Sequence, residues 1–139
     1  MPYTLTYSST AVFVLSDDEV SILLARSREL NVADDVTGLL VYLRLDEDQA
    51  AFVQVLEGDQ NAVEQTYARI EGDELHTGLT VLHRGTIQQR RFPEWSMKFA
   101  RLDQPALQEV FAEPYPVSAG NLLADRAKAE QLITAAENS

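Results

Sequence analysis

Ala51-Phe52-Val53-Gln54-Val55-Leu56 is the stretch on which the fold turns. It begins at Ala50 and reads as a buried β-strand, rich in β-branched and aromatic side chains. Side chains alternate along a strand, so Phe52, Gln54 and Leu56 share one face and Ala51, Val53 and Val55 the other. A carboxamide in such a run costs about 1–3 kcal/mol unless something hydrogen-bonds it. An amide donates and accepts at once, which suits a polar aromatic heterocycle. The alternative is a structural glutamine satisfied by backbone.

Upstream, Val36 to Arg44 reads as the partner strand, joined through an acidic hairpin tip, Asp46-Glu47-Asp48. Gly38 within it is suited to close approach of a backbone or a ligand. Before it, Ser16 and Glu19 form a capping-box pattern. Val20, Leu23, Leu24, Ser27 and Leu30 or Asn31 then fall on one helical stripe, which ends at Asp34-Asp35. A first strand covers Leu5 to Ser8, starting near Tyr3. Downstream, Glu57-Gly58-Asp59 turns into a second helix, with Asp59 as cap and Val63, Tyr67 and Ile70 facing inward. Thr80 to Arg84 begins a fourth strand that extends toward Ile87, and Ser96 to Phe99 is a short last strand.

The order β-α-β-β-α-β plus one strand is an α+β, ferredoxin-like pattern, with two helices on one face of a sheet. Pro105 to Phe111 is a short helix, Pro114-Tyr115-Pro116 breaks it, and Ala119 or Asn121 to Ala136 is another helix carrying Leu122, Leu123, Leu132 and Ile133. These helices either cover the open sheet face or form a dimer contact. Residues 1–101 are thus read as one domain and 102–139 as a helical extension.

The chain has 139 residues, 45% of them hydrophobic, enough for one real core. It lacks an apolar run of the roughly 20 residues needed to span a bilayer, and Met1-Pro2-Tyr3-Thr4 is unlike a signal peptide. There is no cysteine, which excludes disulfides, thiolate catalysis and Cys-ligated metals. The expected compartment is the cytoplasm. A net charge of −11 argues against nucleic acid, which needs clustered Lys and Arg. His76 and His83 have no ligand spacing that points to a metal.

Tyr7-Ser8-Ser9, Ser27-Arg28-Glu29-Leu30-Asn31, Thr37-Gly38-Leu39-Leu40, Phe52 to Gly58, and Trp95-Ser96-Met97 together resemble the BLUF domain, a blue-light sensor using flavin. The likeness runs from about Pro2 to Ala100. It implies a flavin, FAD or FMN, held between the two helices. By position, Tyr7 is implied as the electron-donating phenol, and Gln54 as the bridge from Tyr7 to the ring. Asn31 holds the polar edge of the ring, and Ser27 and Arg28 belong to the same pocket. Trp95, Met97 and Ser9 are implied as switching residues. His76 matches a histidine near the flavin tail. Leu75 and Leu30 depart from the more polar residues usual there, and the 45–49 hairpin is longer than usual. Taken singly, Tyr7 also fits a plain strand tyrosine, Asn31 a helix cap, and Met97 ordinary core.

The implied function is a photoreceptor that is not an enzyme, signalling through a partner protein or a homo-oligomer interface. A ferredoxin-like small-molecule enzyme and a light-insensitive dimeric module are the alternatives. Ser8-Ser9-Thr10-Ala11 lacks the arginine-bearing loop that an acylphosphatase reading needs.

Overall fold

A computed structural model describes residues 1–111 and 125–137. The elements run β1 (Tyr3–Ala11), α1 (Asp17–Asp34), β2 (Thr37–Arg44), β3 (Ala50–Gly58), α2 (Gln60–Glu71), β4 (His76–Thr86), β5 (Lys98–Leu102), α3 (Gln104–Phe111) and α4 (Arg126–Glu137). The sheet order is β4-β1-β3-β2-β5, antiparallel except for the parallel β2/β5 pair. This is the ferredoxin-like pattern with one added edge strand. The strand bearing Gln54 lies at the centre, which explains its apolar character on both faces.

Local chemistry accounts for the helix ends. Ser16 caps α1 with both halves of the capping box formed, and Asp35 closes it in the left-handed region, its N–H reaching Asn31 O and Val32 O. Asp59 caps α2 through Asn61 N. Gly38 answers the question posed by its sequence: a Cβ there would sit 1.9 Å from Val55 O. The close neighbour is therefore the backbone of β3.

The sheet separates two apolar layers. Val20, Leu24, Val63 and Tyr67 of α1 and α2 pack on Leu5, Tyr7, Leu40, Phe52 and Leu56. On the other face, Leu107 of α3 and Ala129, Leu132 and Ile133 of α4 pack on Leu39, Val41, Val53 and Val55. Of the two expectations for the terminal helices, covering the open face is the one realised by α3 and α4. The expected break at Pro114-Tyr115-Pro116, the helix start at Ala119 or Asn121, and Leu122 and Leu123 lie outside the described residues.

Three strands differ from their sequence reading: β1 continues past Ser8 to Ala11, β4 starts at His76, four residues before the expected Thr80, and β5 is displaced. The last strand runs from Lys98 to Leu102, two residues later than expected at its start. The parallel ladder begins where Leu39 meets Lys98. The carbonyls just before it are committed elsewhere: Trp95 O accepts from Gly38 N (3.1 Å), Ser96 O from Asn31 Nδ2 (2.8 Å) and Met97 O from Arg28 Nε (3.1 Å). Trp95-Ser96-Met97 is thus fastened to β2 and α1 rather than zipped into the sheet.

Candidate functional site

Tyr7 and Gln54 stand directly opposite each other on β1 and β3. The pairing brings their side chains together on the α1/α2 face, and Tyr7 Oη donates to Gln54 Oε1. Tyr7 is fully buried. Burial pushes its phenol far above the ordinary tyrosine range, and Tyr67 and Asp73 act in the same direction. It is therefore a neutral phenol with one proton, aimed at the amide oxygen. The ring packs against Tyr67, with centroids 5.4 Å apart.

Gln54 is 5% exposed. Its Nε2 reaches Met97 Sδ at 3.4 Å, and a thioether is a weak acceptor. The carboxamide thus has a strong acceptor bond to Tyr7 and donor capacity only weakly used by the protein. The same side chain lines a cavity of about 480 Å³ between α1 and α2, within the usual 300–1,000 Å³ range of small-molecule sites. Leu40, beside Gln54 in the ladder, shares the cavity floor. Leu23, Ser27, Leu30 and Asn31 of α1 face Thr66 and Ile70 of α2 across it. Leu23, Leu30, Leu40 and Ile70 give this otherwise polar cavity an apolar wall beside the amides of Gln54 and Asn31, a combination that suits a flat ring with a polar edge.

The sequence-derived residues divide cleanly. Ser27, Asn31, Gln54 and His76 line the cavity. Arg28 does not stand among the lining residues; its guanidinium turns to Met97 O, while Arg26 and Arg69 line the wall. Met97 is buried against Gln54. Trp95 is 47% exposed, with Lys98 Nζ 5.9 Å from its ring centre. Ser9 Oγ lies 2.8 Å from His76 Nδ1, and the His76 ring packs on Phe52. Burial lowers the His76 pKa from its ordinary value, opposed by Asp73, so the ring is neutral at pH 7. Leu75 packs against the α1/α2 core layer.

Sequence reasoning missed Glu57, which it treated as a turn residue. The side chain is 1% exposed, and its carboxylate takes the N–H groups of Arg91 (2.7 Å, Oε2) and Phe92 (2.8 Å, Oε1). The available signal was parity: Glu57 follows Val53 and Val55 on an inward-facing set. Among the described residues no group of His, Asp and Glu is arranged to hold a metal, and no helix is long and apolar enough to cross a membrane.

The family model described as "Sensors of blue-light using FAD" (BLUF) matches residues 3–98. The photoactivated adenylate cyclase subunit beta of Euglena gracilis is 33% identical over 115 residues, 79% of this chain and 13% of that protein. The chain thus spans only a small part of such curated relatives. Among solved structures, the dark-state structure of BlrB, a BLUF protein, is 26% identical with a TM-score of 0.71, covering 99% of this chain and 97% of that one. Klebsiella pneumoniae BlrP1, solved with FMN and cyclic diGMP, is 28% identical with a TM-score of 0.64, covering 73% of this chain and 26% of that one.

Proposed function

This chain belongs to the BLUF family, the sensors of blue light using FAD, and from that premise we propose that Tyr7, Gln54 and Met97 form the switch of a flavin photoreceptor. The observation that carries this reading is the buried Tyr7–Gln54 hydrogen bond at the wall of a cavity of the right size and character. The residues present fit a flavin. Leu23, Leu30, Leu40 and Ile70 would hold the flat ring, and Gln54, Asn31 and Ser27 its polar edge. FAD and FMN share that ring, and either is compatible with these contacts.

Bound flavin, once excited by blue light, supplies a one-electron oxidant. Tyr7 is the phenol positioned to lose the electron. An oxidised phenol is very acidic, and its proton has one immediate acceptor, Gln54 Oε1. Proton movement onto Oε1 weakens the reason for the amide's present orientation. Gln54 then exchanges or redistributes its donor and acceptor edges between Tyr7, Met97 and the cavity. Met97 Sδ holds Nε2 only weakly, so this rearrangement meets a low barrier on that side. No covalent bond to the protein is required, in keeping with a chain that has no cysteine.

The module itself is a photosensor rather than an enzyme; cyclase activity is a property of the longer relatives. We read residues 1–101 as the sensor and 102–139 as its extension, on the support that α3 and α4 bury apolar side chains on the face opposite the cavity. The output would pass to a partner protein or to a homo-oligomer interface, in a cytoplasmic setting. The test is the absorption spectrum of the purified protein. Flavin bands that shift reversibly to the red under blue light are expected; a flavin-loaded protein that is spectrally inert under illumination would overturn the reading.

A further inference from the structure

The segment between β4 and β5 passes from one face of the sheet to the other. Phe92 is buried in the layer beneath α4. Met97, five residues on, is buried in the opposite layer against Gln54. What fixes the near end of this segment is Glu57, three residues after Gln54 on the same strand. Its two carboxylate oxygens take one backbone N–H each, from Arg91 and Phe92. Hydrogen bonds to a charged acceptor are about twice as strong as neutral ones.

We propose that Glu57 is a positioning residue of the light switch: by holding Arg91 and Phe92 it sets where Met97 lies against Gln54 and ties that position to α4. This rests on the photoreceptor reading above and extends it to regulation of the same site. Arg91 completes the tie, because its guanidinium reaches Glu130, Thr134 and Glu137 along one side of α4. Lys98 Nζ adds a bond of 2.8 Å to Glu137 O. Neighbouring Arg90 bonds Thr37 Oγ1 and Asp35 at 3.2 Å each and so anchors the same loop to the end of α1.

The charged groups that act on the Glu57 carboxylate are Arg90 and Arg91 from the loop; Arg90 is paired in turn with Asp35 at the α1 cap, and Arg91 with Glu130 and Glu137 of α4. Its ladder neighbours, Thr4 and Thr37, carry no charge. Burial raises the Glu57 pKa above the ordinary carboxylate value, against the lowering by the two N–H groups and the two arginines. Protonation turns one acceptor oxygen into a hydroxyl donor, so one of the two N–H groups loses its partner.

The test uses the full chain with its flavin, and Glu57→Gln, which keeps the shape and one acceptor but removes the charge. Dark recovery of the red-shifted form should be about tenfold faster in Glu57→Gln, on the order of one lost hydrogen bond to a charged acceptor. In the unsubstituted protein the recovery rate should change across a carboxyl titration that Glu57→Gln lacks and Glu57→Asp retains. Trp95 is the one tryptophan of the sequence and lies in the held segment. Its emission in flavin-free protein should follow the same titration and lose it in Glu57→Gln. A photoactive Glu57→Gln protein with unchanged recovery and an unchanged pH profile overturns the proposal while leaving the photoreceptor reading intact. A chain without any light response overturns that reading instead, and Trp95 emission then still decides whether Glu57 holds the segment. If Glu57→Gln does not fold, the proposal is overturned by a recovery rate of the unsubstituted protein that is flat across the titration of its own Trp95 emission.

Discussion

At the scale of single residues, the proposed switch makes unequal demands on its members. Tyr7→Phe removes one oxygen from a buried ring and leaves the packing on Tyr67 in place. Flavin should remain bound, and the light-minus-dark difference spectrum should be lost. The fold should lose about 1–3 kcal/mol, because Gln54 Oε1 keeps its burial without its donor; urea unfolding of the two proteins measures it. Met97 touches Gln54, whereas the Trp95 ring is half-exposed beside Lys98. Met97→Ala should therefore alter dark recovery more than Trp95→Ala does. A larger effect of Trp95→Ala, read from the decay of the red-shifted band, would contradict this assignment of contacts. Gln54 was legible in the sequence because a carboxamide interrupts an apolar run. Glu57 was not, because Glu-Gly-Asp has the composition of a turn, and only the two N–H groups arriving from residues 91 and 92 reveal why a carboxylate is buried there.

At the scale of elements, local signals worked where the cause of the structure is local. The capping box of Ser16 and Glu19 was visible in the sequence and is formed at 3.0 and 3.2 Å. Ser16→Ala should cost about 0.5–2 kcal/mol in denaturant unfolding. The cavity residues of the helix lie well beyond its first turn, so the flavin spectrum should be unchanged. The start of β5 was misplaced because its cause is not local. Nothing in Ser96-Met97-Lys98 distinguishes a ladder residue from one whose carbonyl is taken by Asn31 or Arg28. Arg28, implied for the pocket by the resemblance, is another case of a non-local cause: its guanidinium turns to Met97 O, and it is not among the residues that line the cavity. Gly38 lies between these cases. The sequence marked a close approach, and the ladder identifies the neighbour as Val55 O. Gly38→Ala should cost about 1–3 kcal/mol from forced backbone displacement, measured as a lower urea midpoint. A variant as stable as the parent would mean that β2 and β3 are not so closely apposed.

At the scale of the whole molecule, the sheet divides the cavity from the α3/α4 layer, and the two should be separable by substitution. Leu132 is fully buried among Leu39, Val41, Val53 and Val55 on the far face. Leu132→Ala leaves a cavity there, at a cost of about 2–5 kcal/mol. The Tyr7–Gln54 bond lies on the other side of β3, so the size of the red shift should be kept in the fraction that remains folded. What should change is recovery, because Arg91 and Lys98 join α4 to the segment that carries Met97. A looser α4 restrains that segment less, and the red-shifted form should revert faster. Denaturant unfolding, the amplitude of the difference spectrum and its decay time, measured on one sample, separate these effects. Loss of stability with amplitude and decay both unchanged would show that the far layer supports the fold without touching the switch. Loss of amplitude in fully folded protein would show that the sheet does not insulate the Tyr7–Gln54 pair.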